Sequence, residues 1–255
     1  MHSDQLPISA GTVRTLVDEQ FPRWRPLPVT EVRSGGTVSA VFRIGEQLSA
    51  RFPLGAGYPL PWPVQTWLPG TPATDESHAH SVAFARDLAE FISHLRAIDT
   101  LGRTFDGEGR GGDLRSHDGW MESCLQRSEG LPDVARLRRT WARLRELPRD
   151  AEDVMSHKDL IPANLLGRDN RLVGVLDVGA FGPADPSLDL VCAWHLLERG
   201  PRQVLHDELG SDDLEWQRGQ AWAFQQAMGL VWYYVDSNPA MSRLGRHTLE
   251  RLADG

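Results

Sequence analysis

The sequence predicts an α+β chain of two lobes, a small β-rich lobe first and a larger helical lobe after it. Three observations carry this. Short apolar strand-like runs cluster between Val29 and Leu68, amphipathic helical stretches dominate from Val82 onward, and Pro69-Gly70 punctuates the change. A chain of 255 residues is long enough for two such lobes, with expected bounds 1–68 and 69–255.

Ser9 to Gln20 reads as a short helix, with Ser9 as N-cap and Val13, Leu16 and Val17 on one face. Phe21 to Pro28 is a Pro/Trp-rich break. Val29–Val32, Ala40–Ile44 and Leu48–Phe52 read as strands, Gly45-Glu46 turning the last two, and Val64–Leu68 as a fourth. Val82–Ile98 sets Phe84, Leu88, Ile92 and Leu95 at helical spacing. Leu101–Gly112 is a glycine-rich loop, and Leu137–Leu147 an amphipathic helix with arginines outward. Asp153–Ser156 and Leu172–Leu176 are short strands flanking a polar loop. Leu188–Glu198 and Leu214–Val235 are helical, and Trp120, Trp141, Trp194, Trp216, Trp222 and Trp232 are mostly expected in the core.

Composition removes several function classes. Hydrophobic residues at 40% and charged residues at 24% fit a globular protein. No apolar run approaches the roughly 18–20 residues of a membrane span, and the start lacks the pattern of a secretory leader. Cys124 and Cys192 form neither a disulfide framework nor a metal spacing, so a cytoplasmic location is expected. A net charge of -8 argues against a nucleic-acid partner. All 27 basic residues are arginine except Lys158.

The chemistry concentrates in Ser156-His157-Lys158-Asp159-Leu160-Ile161-Pro162-Ala163-Asn164, followed by Leu176-Asp177-Val178-Gly179. This is H-x-D-x-x-x-x-N, then an apolar strand ending in an aspartate. Phosphoryl transfer needs a carboxylate to take the proton of the attacking hydroxyl, and an amide oxygen and a second carboxylate to hold Mg²⁺ against phosphates. Turn formation around Pro162 explains any one of these residues but not the full spacing.

With these residues the chain resembles the aminoglycoside phosphotransferase family, within the protein-kinase-like fold. The likeness is strongest over residues 150–200, where Gly182-Pro183-Ala184-Asp185-Pro186-Ser187-Leu188-Asp189-Leu190 follows the metal aspartate. It continues more weakly through Ser34-Gly35-Gly36-Thr37 and Trp67-Leu68-Pro69-Gly70. The resemblance implies Asp159 as catalytic base, Asn164 and Asp177 as Mg²⁺ ligands, and His157 and Asp189 as braces of the catalytic loop. Asp185-Pro186 also reads as a helix start, which puts Asp189 in a first turn.

For the nucleotide, Gly35, Gly36, Thr37 and Ser39 lie in a turn whose small residues let backbone N–H groups approach phosphates; a plain hairpin turn is the competing reading. Arg51 stands where kinases place a phosphate-gripping lysine, and guanidinium keeps that charge; a solvated edge-strand arginine is the alternative. The Thr66-Trp67-Leu68 connector would offer backbone groups to an adenine. Between Glu46 and Asp75 there is no carboxylate, and Phe52–Val64 is too rich in proline and glycine for a helix. The usual ion-pair helix is therefore expected to be missing from a shortened N-terminal lobe. The resemblance implies transfer of the γ-phosphoryl of ATP, or another nucleoside triphosphate, to a hydroxyl of an aminoglycoside-like or other small acceptor. The alternative is a degenerate nucleotide-binding protein. Asp236 is a candidate amine-binding carboxylate, whereas Asp113, Asp118 and Glu122 read as surface charge.

Overall fold

Alternation of apolar and polar residues in the N-terminal quarter builds one antiparallel sheet. In this computed structural model, which describes residues 8–32, 39–53, 62–128 and 133–253, a helix α1 (Ala10–Gln20) precedes strands β1 (Val29–Val32), β2 (Ser39–Ile44), β3 (Leu48–Pro53) and β4 (Val64–Thr66). The strands lie in the order β1-β2-β3-β4. Ser9 Oγ accepts the Thr12 N–H, as an N-cap should. Val13 and Val17 of α1 join Phe42, Ile44, Ala50 and Phe52 in one core. Trp62 stacks on Phe52, with ring centroids 4.9 Å apart, which covers apolar surface where β3 leads into β4. β4 stops two residues short of the expected Leu68. The expectation of no helix between β3 and β4 falls largely on residues 54–61, outside the described residues.

The chain divides into two compact units, Met1–Pro69 and Gly70–Gly255. The second opens with β5 (Thr71–Pro72) and α2 (Val82–Arg96), then α3 (Asp118–Arg127) and α4 (Val134–Leu144). β6 (Val154–Ser156), β7 (Leu165–Arg168), β8 (Arg171–Val175) and β9 (Gly182–Ala184) follow. α5 (Val191–His195), α6 (Arg199–Leu209), α7 (Asp213–Tyr233) and α8 (Pro239–Ala253) complete it. The middle of α7 is buried all round, Ala221, Trp222, Ala223, Phe224, Ala227 and Met228 together with Gln225 and Gln226; such a helix belongs at the centre of a core. Among the described residues no helix is long and apolar enough to cross a membrane.

Several element limits differ from the sequence reading, for local reasons. α4 begins at Val134 rather than Leu137 because the Asp133 carboxylate caps it, accepting the Arg136 N–H at 2.8 Å. The expected Leu188–Glu198 helix is a 3₁₀ turn, Pro186–Leu190, running into the short α5. Trp194 and Trp222 are fully buried as expected, but Trp120 is 43% exposed.

Candidate functional site

A hairpin positions the motif. β7 and β8 pair antiparallel with Arg168 opposite Arg171, leaving Asp169 and Asn170 as a two-residue turn. Both turn residues have positive φ, 52° and 59°, the type I′ pattern that Asp and Asn tolerate. Closing the hairpin there brings its two open ends together. Asn164, just before β7, accepts the Leu176 N–H on its backbone carbonyl at 2.8 Å. Asp177 follows directly, so residues distant in the motif meet through strand register.

His157 ties the same elements a second time. The Leu176 carbonyl can only accept, so His157 Nε2–H donates to it at 2.9 Å. Nδ1 then takes the Asp159 N–H at 3.3 Å, which defines the tautomer. Asp189 is 3% exposed and accepts two backbone donors, His157 N–H at 2.9 Å and Lys158 N–H at 3.0 Å. Burial pushes its carboxyl up, against the opposing pull of those donors. They hold a loop in which Lys158, at φ 69°, is left-handed without being glycine; Asp177, at φ 62°, takes the same region, which aspartate tolerates.

Asp159 is held from two sides. Its Oδ2 accepts the Asn164 amide NH₂ at 3.0 Å, and its Oδ1 accepts Arg110 Nη2 at 3.0 Å in an ion pair. Arg110 lies on the glycine-rich loop, a position the sequence reading left without a role; the one arginine between Gly109 and Gly111 was the available signal. That loop is anchored, because Gly111 C=O accepts the Asp185 N–H at 2.9 Å. Gly111 has φ 113°, and a Cβ there would lie 2.7 Å from that of Ala184. Asp185 in turn forms a buried ion pair with Arg218, whose Nε donates at 2.8 Å. Neither residue of that pair was identified as a charge partner from sequence.

Asp159 and Asp177 line one open cavity of about 1400 Å³ within the second unit, together with Arg110, Lys158, Trp120 and Tyr234. Burial raises the Tyr234 phenol above its usual range, and the charges of Tyr233 and Asp159 add to that. His117 also faces the cavity and is lowered, by burial first and then by the Arg110 charge. Asp236 is exposed and not among the lining residues. Asp118 and Glu122 pair with Arg145 and Arg138, and Asp113 caps a 3₁₀ turn.

The nucleotide candidates of the first unit are spread along its sheet. Ser39 opens β2 opposite Pro53, and Arg51 is half-buried on β3 opposite Val41, its N–H donating to Pro63 C=O at 3.1 Å. Alternation puts Arg51 on the strand face opposite Ala50 and Phe52. Thr66 closes β4, the Trp67 N–H donates to Gln47 C=O at 2.7 Å, and Leu68 is exposed. The Arg43 guanidinium lies 4.8 Å from the centre of the Trp67 ring. Gly35, Gly36 and Thr37 lie outside the described residues.

Mg²⁺ fits the donor set by its chemistry. Asn164 commits its NH₂ to Asp159, which leaves its amide oxygen available as a donor, and Asp177 offers an exposed carboxylate. Among the described residues no cluster of three or more His, Cys, Asp or Glu could hold a metal alone. Two hard oxygen donors completed by phosphates and water are how this ion is usually bound.

The family model for the phosphotransferase enzyme family matches residues 34–223. The fold is similar to that of the GDP complex of aminoglycoside 2'-phosphotransferase-IIIa, with a TM-score of 0.69 at 15% identity, covering 97% of this chain and 99% of the other. The macrolide 2'-phosphotransferase MphH of Brachybacterium faecium gives 0.62 at 16% identity, with 95% and 98% covered. ADP-bound aminoglycoside phosphotransferase APH(2'')-Ib gives 0.58 at 16% identity, with 96% and 99% covered. No curated protein matches the sequence.

Proposed function

Because the chain belongs to the phosphotransferase enzyme family, we propose that it moves the γ-phosphoryl group of ATP, or another nucleoside triphosphate, to a hydroxyl of a small molecule. One observation carries the reading: Asp159, Asn164 and the Leu176–Asp177 corner are knitted together by hydrogen bonds at the open end of one hairpin, and Asp159 and Asp177 face the same cavity. In the reaction the acceptor oxygen bonds to the γ-phosphorus, the bond from that phosphorus to the nucleoside diphosphate breaks, and the hydroxyl proton passes to Asp159. Asn164 and Asp177 would hold Mg²⁺, which supplies neutralisation of phosphate charge. His157 and Asp189 are positioning residues. They set where Asp159 sits relative to Asp177 and do not face the acceptor.

We assign the nucleotide roles to Ser39, Arg51 and the Thr66–Leu68 connector, and to Gly35, Gly36 and Thr37; the ADP and GDP complexes of proteins of similar fold support nucleotide binding as such. The test is nucleotide-dependent phosphorylation of a library of hydroxyl compounds by the full chain, read by mass spectrometry, beside thermal melting with MgATP and MgGTP. Transfer to at least one acceptor, lost on removing Mg²⁺, is expected. A nucleotide-induced rise in Tm with no transfer to any member would instead leave a nucleotide-binding protein without transferase activity.

A further inference from the structure

The cavity beside Asp159 carries charge of an informative sign. Beside Asp159, its half-buried charged residues are Arg110 and Lys158, both cationic; Arg103, Asp106, Glu108 and Asp177 also line it but are exposed. Of the carboxylates considered for a cationic acceptor, Asp236 is not among the lining residues, and Asp118 and Glu122 are paired with Arg145 and Arg138; Asp106 and Glu108 line the cavity at exposed positions of the glycine-rich loop. Lys158 makes no ion pair among the described residues, and its Nζ stands 5.3 Å from the centre of the Phe105 ring. It is the one lysine of the chain, held at φ 69°, where glycine would be more comfortable. Arg110 is fixed by its anchored loop and engages the very oxygen of Asp159 that an incoming hydroxyl could use.

Resting on the phosphotransferase reading above, we propose that Arg110 and Lys158 form an oxyanion subsite that selects acceptors bearing a carboxylate or phosphate group beside the reacting hydroxyl. An arriving oxyanion takes Arg110 as its partner, and Asp159 Oδ1 is released to the hydroxyl. Guanidinium and ammonium both donate charge-assisted hydrogen bonds to such groups. The acceptor's own charge therefore prepares the base.

Two arms test this on the full chain. In the first, melting is followed in sodium sulfate against sodium chloride of equal ionic strength, with a saturating non-hydrolysable MgATP analogue so that the nucleotide phosphate positions are filled. A sulfate-specific rise in Tm is expected for the wild type and absent in Arg110→Gln/Lys158→Gln, while the rise caused by the analogue survives. Lys158→Gly adds no strain at the left-handed position, so a sulfate response lost there with the analogue response retained comes from the missing ammonium group. An unchanged sulfate response in the double variant overturns the proposal. So does loss of its response to the analogue, which would assign the two cations to the nucleotide. In the second arm glucuronate, glucose 6-phosphate, glucose and glucosamine are compared as acceptors, the first two separating carboxylate from phosphate. Where transfer occurs, kcat/KM should favour an anionic member by about 10-fold or more, with the advantage lost in the double variant. Preference for glucosamine overturns the proposal. No transfer to any acceptor with an intact sulfate response leaves the anion site standing and defeats only the transferase reading.

Discussion

Both oxygens of Asp159 accept from side chains, one from Arg110 and one from Asn164, so its carboxylate is fixed before any substrate arrives. Asp159→Asn keeps the shape but cannot take a proton. Turnover should fall by about 10²–10⁴-fold while the nucleotide-induced rise in Tm remains. Wild-type rates in that variant would remove the base assignment. Asp177→Ala deletes a candidate ligand and a charge, so calorimetric titration should show nucleotide affinity losing its dependence on Mg²⁺. Asp159, Asn164 and Asp177 were legible in the sequence because their spacing is itself chemical information. Arg110 was not: it stands 49 positions before Asp159, and only tertiary packing makes them neighbours.

At the scale of elements, the glycine-rich loop works as a rigid mount for Arg110. Gly111→Ala must place a methyl group against Ala184 at a φ that disfavours side chains. Overpacking and strain together should cost about 1–3 kcal/mol, read as a lower denaturation midpoint. A neutral change would mean the loop relaxes away from β9. α2 and α7 were readable from the sequence, whereas α3, α6 and α8 were missed; in α6, Gly200 and Pro201 read as breakers. They fall in its first turn, where the backbone donors are unpaired anyway and proline does no harm. β7 was missed because four residues carry little periodic signal; the Asp169-Asn170 turn that sets its register was the better clue.

For the molecule as a whole, His195 couples folding to acidity. It is fully buried, with Nδ1 2.8 Å from Thr248 Oγ1 and Nε2 3.1 Å from Gln226 Oε1, and burial lowers it to about 4. The unfolded chain therefore takes up this proton first as pH falls. Stability from the neutral ring is complete above the unfolded value of about 6.5 and is lost as pH falls toward 4, by roughly 3 kcal/mol in all. Asp189, raised by burial, acts with the opposite sign, its contribution fading as pH rises. The difference between wild-type and His195→Gln melting curves across pH 7 to 4 isolates the histidine, and equal slopes would contradict its neutral burial. The two-lobe α+β plan was legible from the strand-to-helix change near Pro69, but this switch was not, since a histidine within an apolar run carries no sign of its partners.

Trp120 gives the cavity an optical property. The residue is 43% exposed and lines the cavity, while Trp194 and Trp222 are sealed in the core. A molecule settling beside Asp159 changes the water around that one ring and leaves the buried ones untouched. Acceptor binding should therefore shift the red edge of intrinsic emission without any added label. Trp120→Phe should silence the signal while leaving the emission of the core in place.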